Sequence, residues 1–289
     1  MSKKVFNHIV AEIKEAKYFA LITDSTPDIS HEDQLPIICR YCLHGQVYER
    51  FLQFLPISSH TGESLCKVTL EVLEANDISI SNCRGQSYDN ASNMSGKYVG
   101  VQARIQELNL LALYVPRVGH SLNLVGKNSV NVCIEAISFF GFIANLYAFF
   151  VASPHRWEIL LNNSDSTLES LSKTRWSCRD DATSASFFNY SQIYDALSGF
   201  VESDDENADT RFDARNLKNQ MEKLEIAFMT QFWHEVLDRF NKTSKFLQTA
   251  ELDLVAGDKM LQSLTEFINE MRNKFDEIQK KCQEVRMFC

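Results

Sequence analysis

Strand-like segments crowd the first 115 residues of this 289-residue chain. From about residue 130 they vanish, and helical periodicity runs to the end. That switch constrains the fold more than any single motif does. The N-terminal part can build a sheet, whereas the C-terminal part can bury its apolar stripes only helix on helix. The expectation is therefore α/β over residues 1–130, followed by an all-α region over 131–289.

Residues 1–18 read as a helix leading into the apolar run YFALITDST. Two more strand-like stretches come next, QLPIICRYCLHG and VYERFLQFLPI, separated by a short turn around His44–Gln46. Runs of Ile, Phe, Leu, Val and Tyr bounded by polar clusters are the pattern of hairpin strands. Thr61 is placed to cap a helix with apolar positions Leu65, Val68, Leu70, Val72 and Leu73. A short strand CRGQSYDN then reaches Asp89, a helix covers VGVQARIQELNLL, and LALYV forms a last strand before His120. The order β-β-β-α-β-α-β-α describes a mixed sheet with an antiparallel start. In the second part, Leu264, Ile268, Met271, Phe275, Ile278 and Cys282 recur at spacings of four and three, an apolar seam. ESDDENADT, residues 202–210, is an acidic linker between helices.

Composition narrows the class. With 45% apolar and 23% charged residues the chain is globular, and 10 Gly with 5 Pro are few for an all-β protein. The net charge is −9: residues 1–150 hold 12 basic against 14 acidic side chains, and 151–289 hold 17 against 24. Neither part has the basic excess of a free-standing nucleic-acid binder, so any DNA contact needs a local patch. The eight cysteines have no framework spacing and no secretory leader follows Met1, which fits a reducing nuclear or cytoplasmic location rather than secretion. Cys39 and Cys42 lie three apart in a strand, on opposite faces, and this argues against zinc. Val130–Ala152 carries one charge, Glu135, and is long enough for a bilayer. Its polar residues Asn131, Glu135, Ser138 and Asn145 share one helical face, the pattern of a core helix with a wet side. No nucleotide-binding glycine loop is present in the sequence. His155, Trp157 and Trp233 fall on apolar helical stretches, as core or interface positions do.

Asp24 and Asp89 stand at the ends of the first and fourth strands. If those strands are neighbours, two carboxylates converge at one sheet end, where a divalent cation, Mg²⁺ or Mn²⁺, relieves their repulsion and can serve phosphoryl transfer. The same positions also suit plain strand-end caps, since DST and YDNASN are rich in turn formers.

The segments YFALITDSTPDISHEDQLPIICRYC, RGQSYDNASNMSGKYVGVQARI, YVPRVGHSLNLV and KTRWSCR, in that order, resemble the hAT-superfamily transposases, in particular zinc finger MYM-type and TTF-type zinc-finger relatives. The resemblance runs from about residue 5 to the end. It implies an RNase H-like domain with a helical insertion, in which Asp24 and Asp89 match the first two metal-binding aspartates. His120 matches the histidine of a motif followed by Leu122–Leu124, although Arg117 stands where the family has cysteine and Pro116 where it has histidine. Arg175 and Trp176, with Thr174, match the insertion's Arg-Trp motif, whose tryptophan stacks on a flipped base. The family's third carboxylate, a glutamate, has no match, and the insertion is expected to be truncated. The implied function is a transposase-derived, catalytically inactive nuclear module that contacts DNA or protein. The alternatives are a fragment of an active cut-and-paste transposase and a purely structural interaction domain. The helical seam is expected to be partly exposed and to support self-association or a protein partner.

Overall fold

The computed structural model describes residues 3–23, 26–27, 33–57, 59–131, 133–163, 167–171, 177–249 and 252–286. The chain divides into two compact units, residues 1–121 and 122–289.

The first unit begins with helix α1 (Lys3–Ala16), which buries Ile9, Val10 and Ile13. Then come β1 (Phe19–Thr23), β2 (Thr26–Pro27), β3 (Asp33–Leu43) and β4 (Gln46–Pro56). The β3–β4 hairpin closes through His44 and Gly45, at φ 51° and 79°. Positive φ at both positions matches the right-handed twist of the paired strands. Helix α2 (Gly62–Ala75) starts where Thr61 accepts the Ser64 N–H. The short β5 (Cys83–Ser87), α3 (Ser92–Ser95), α4 (Val101–Leu108) and β6 (Leu113–Tyr114) complete the unit, and α5 (Val118–Asn131) leads out of it.

The strands form one mixed sheet. β1 pairs antiparallel with β3 and parallel with β5, and β6 adds parallel to β5. β4 pairs with the far edge of β3. Thr23 faces Ile37, and Thr26 faces Gln34, so β2 continues the β1 ladder in unchanged register. Alternation puts Phe19, Leu21, Leu35, Ile37, Cys39 and Tyr41 on one buried face. There Tyr41 donates to Glu12 of α1 at 2.6 Å, and Gln86 of β5 donates to the Gln102 carbonyl of α4 at 3.0 Å. Cys39 is fully buried while Cys42 is exposed, on the opposite face. Burial pushes the Cys39 thiol up to about 12, leaving it an inert core group.

Among its described residues the second unit has helices as its only regular elements, and after the end of α5 these follow in order. They are α6 (Ile134–Val151), α7 (Pro154–Asn163), α8 (Ser177–Phe188), α9 (Tyr190–Glu202), α10 (Ala208–Met221), α11 (Leu224–Leu247), α12 (Leu254–Met271) and α13 (Phe275–Arg286). α6 is long and apolar enough to cross a membrane by length and composition. In this fold its Phe139, Phe142, Ile143, Leu146 and Phe150 are core, and Glu135, Ser138 and Asn145 lie on its exposed side. Phe140 meets Trp233 of α11 edge-on at 5.3 Å, and Phe149 meets Phe200 of α9 at 5.5 Å. Trp157 is partly buried against this core, whereas the His155 side chain is exposed and paired with Glu206 at 3.1 Å.

The expected seam is corrected in its continuity, while its expected partial exposure is seen at Phe275. It is broken at residues 272–274 into α12 and α13, and both helices pack on α11. Leu264, Met271, Ile278 and Cys282 are therefore buried, and Phe275 is the member left exposed, at 55%.

Candidate functional site

The parallel pairing of β1 and β5 sets the geometry of the sheet end where both strands finish. Ile22 faces Ser87 in that ladder. Asp24 and Asp89 come two residues further along their own strands in sequence. Asp24 lies outside the described residues. Asp89 is half-buried, and its Oδ1 accepts the Ala91 N–H at 3.2 Å, an Asx turn that starts the loop into α3.

Beyond β6 the chain keeps beside β5. Val115 donates to the Gln86 carbonyl at 2.8 Å, and Arg117 donates its backbone N–H to Tyr88 at 3.4 Å. Arg117 thus stands level with the residue before Asp89. Asn90 donates to the Ser121 hydroxyl at 2.9 Å, tying the same loop to the first turns of α5. His120 is in those turns, and its side chain lies outside what is described. Thr174, Arg175 and Trp176 also lie outside the described residues, immediately before α8.

Sequence reasoning missed a second set of groups at this end of the sheet. His60 bonds Asp33 through Nε2 at 2.8 Å, and Asn93 donates to the His60 carbonyl at 2.8 Å. The α2 start is pressed so closely on the loop that a Cβ on Gly62 would sit 2.3 Å from the Val99 carbonyl oxygen. The YDNASN turn signal located this loop but not its partners, because those are reached across the sheet end. Among the described residues, no three or more His, Cys, Asp or Glu side chains are disposed to hold a metal ion. The described donors therefore do not fit a two-cation phosphoryl-transfer centre, which needs several carboxylate oxygens.

In the helical unit a polar relay crosses α8 and α11. Ser184 lies 3.0 Å from His234 Nδ1 and 3.4 Å from Asp180, to which Asn241 also donates. Phe187 stacks on the imidazole at 4.2 Å. Burial raises the Asp180 carboxyl above the usual carboxylate range. Burial also lowers the His234 imidazole, against the opposing pull of Asp238, Asp180 and Glu235.

Residues 1–100 match the family described as DUF4371: ZMYM1/FAM200, RNase-like domain. The chain is 26% identical over 204 residues to the mouse (Mus musculus) 52 kDa repressor of the inhibitor of the protein kinase, covering 67% of this chain and 27% of that protein. With the human (Homo sapiens) protein of the same name it shares 28% over 182 residues, covering 59% and 24%. The chain thus spans about a quarter of the length of these curated relatives. The similarity is to an RNase-like α/β domain and to repressor proteins.

Proposed function

We propose that the chain is a transposase-derived RNase H-like module of the hAT superfamily, close to the zinc finger MYM-type relatives, that does not cut DNA and acts in the nucleus by contacting DNA or protein. One observation carries this reading. Asp89 lies two residues past the end of β5, which runs parallel to β1, and its Oδ1 accepts the Ala91 N–H as the cap of the loop into α3. The RNase-like family match over residues 1–100 and the similarity to repressor proteins support the same reading. Asp24 and Asp89 are then a vestigial pair. Arg117 and His120, with Arg175 and Trp176, are the groups through which DNA is contacted. Arg117 brings a fixed positive charge to the side of the sheet end where the chain enters α5. The net charge of −9 keeps such contact local and weak.

The second reading, a fragment of an active cut-and-paste transposase, draws on the same β1–β5 pairing and requires Mg²⁺ or Mn²⁺ held by Asp24, Asp89 and a further carboxylate. Fluorescence anisotropy with labelled duplex DNA at about 50 and 200 mM salt tests the DNA half of the proposal. The expected binding weakens as salt rises, and Arg117→Ala lowers the salt slope by about 1. Binding that ignores both salt and Arg117 would contradict it.

A further inference from the structure

β4 is the outer strand of the sheet, and among the described residues it pairs only with β3. An outer strand exposes a row of backbone donors and acceptors, which soluble proteins normally guard with charges, bulges or proline. The first half of β4 is guarded in this way. Glu49 and Arg50 are paired with Arg40 and Glu12, and the register slips at Leu52, the extra residue of a bulge between the Phe51 and Gln53 pairings. The second half, from Gln53 to Leu55, carries no charge, and only Pro56 closes it.

Beside that unguarded half lies a cavity of about 270 Å³ between the strand and α2. Gln53 and Leu55 line one wall, and Val68, Glu71, Val72 and Ala75 line the other. A free strand edge next to a helix-walled groove is the arrangement in which an extended peptide adds as a further strand and drops alternate side chains into the groove. The apolar floor sets one side-chain preference. The rim sets the other: Glu71 lines the cavity and is exposed, with Lys67 as its partner at 3.9 Å.

We infer that the Gln53–Leu55 edge of β4 and the α2 groove form a docking site for an extended peptide of a partner protein. That peptide carries an apolar residue for the cavity and, two positions along on the same side, a basic residue for Glu71. The peptide backbone satisfies the open edge, the apolar side chain fills the cavity, and the basic side chain answers the acidic rim of a chain that is acidic overall. The site lies on the outer edge of β4, separated from β1 by β3, and does not depend on the function proposed above.

The test uses the full 289-residue chain and a labelled, capped octapeptide of sequence Thr-Val-Thr-Lys-Thr-Val-Thr-Lys, with a Glu-for-Lys version as control. Binding by anisotropy should favour the Lys peptide. Glu71→Lys should weaken it by roughly tenfold and shift preference to the Glu peptide. Ala75→Trp, at an exposed position lining the cavity, should weaken both by blocking it. Hydrogen exchange should show new protection of β4 amides with the Lys peptide bound. No binding below about 1 mM, or binding untouched by both variants, would overturn the site. Concentration-dependent self-association that Ala75→Trp abolishes would assign the edge to a second copy of the chain and overturn the peptide.

Discussion

Gly62 and Gly141 illustrate how differently one residue type is constrained in this chain. A Cβ at position 62 would meet the Val99 and Asn93 carbonyl oxygens at 2.3 and 2.8 Å, and both are backbone atoms that cannot swing aside. Gly62→Ala should therefore cost about 1–3 kcal/mol by chemical denaturation. Gly141 in α6 has open space around it, so Gly141→Ala should gain about 0.5–1 kcal/mol from helix propensity alone. His234 makes a pH prediction with a definite sign. Its folded pKa is depressed below 6.5, so the unfolded chain takes up the proton first as pH falls. Its contribution to stability is therefore present above 6.5 and lost as pH drops through the folded value. Asp180, raised above 3.8, acts with the opposite sign from that value upward. The readout is thus the difference between the parent and His234→Gln, whose stability should lose its fall with acid just below pH 6.5. At this scale the sequence showed strand-end carboxylates such as Asp89, because strand-end position is a local property. It could not show His60–Asp33 or Asn90–Ser121, whose members stand 27 and 31 residues apart and meet only once the sheet has formed.

Elements were legible where their signal was local and strong. The β3–β4 hairpin announced itself by apolar runs around a His-Gly turn, and α2 by the Thr61 cap, so Thr61→Ala should cost about 1 kcal/mol. The break between α12 and α13 was hidden, because the four-three spacing of apolar residues continues across it and a periodic pattern has no sign of its own interruption. The bulge at Leu52 was hidden for a similar reason: the residues on either side of the slip continue the apolar run. The burial of the seam also needed α11, an element remote in sequence from α13 that packs against it. Its residues should now sort by contact. Leu264→Ala and Ile278→Ala, at 6% and 1% exposure, should each cost about 2–5 kcal/mol in denaturant titrations. Phe275→Ala, half open to water, should cost far less than either.

At the scale of the whole molecule, the switch from strand to helix foretold a mixed sheet followed by a helical unit, since it reflects which period the apolar residues keep. Sheet order was read from the order of elements together with the resemblance, and β1 pairs with β5 in this chain. That pairing also makes the proposed absence of cleavage testable. The ends of β1 and β5 stand side by side, and Asp89, two residues past β5, accepts the Ala91 N–H through Oδ1. The most direct test is a cleavage and hairpin-formation assay on transposon-end DNA with Mg²⁺ or Mn²⁺, run on the parent chain and on Asp24→Ala and Asp89→Ala. No metal-dependent strand cutting by the parent above the level of the two variants is the predicted result. Metal-dependent cutting that either variant abolishes would show a working carboxylate site and contradict it.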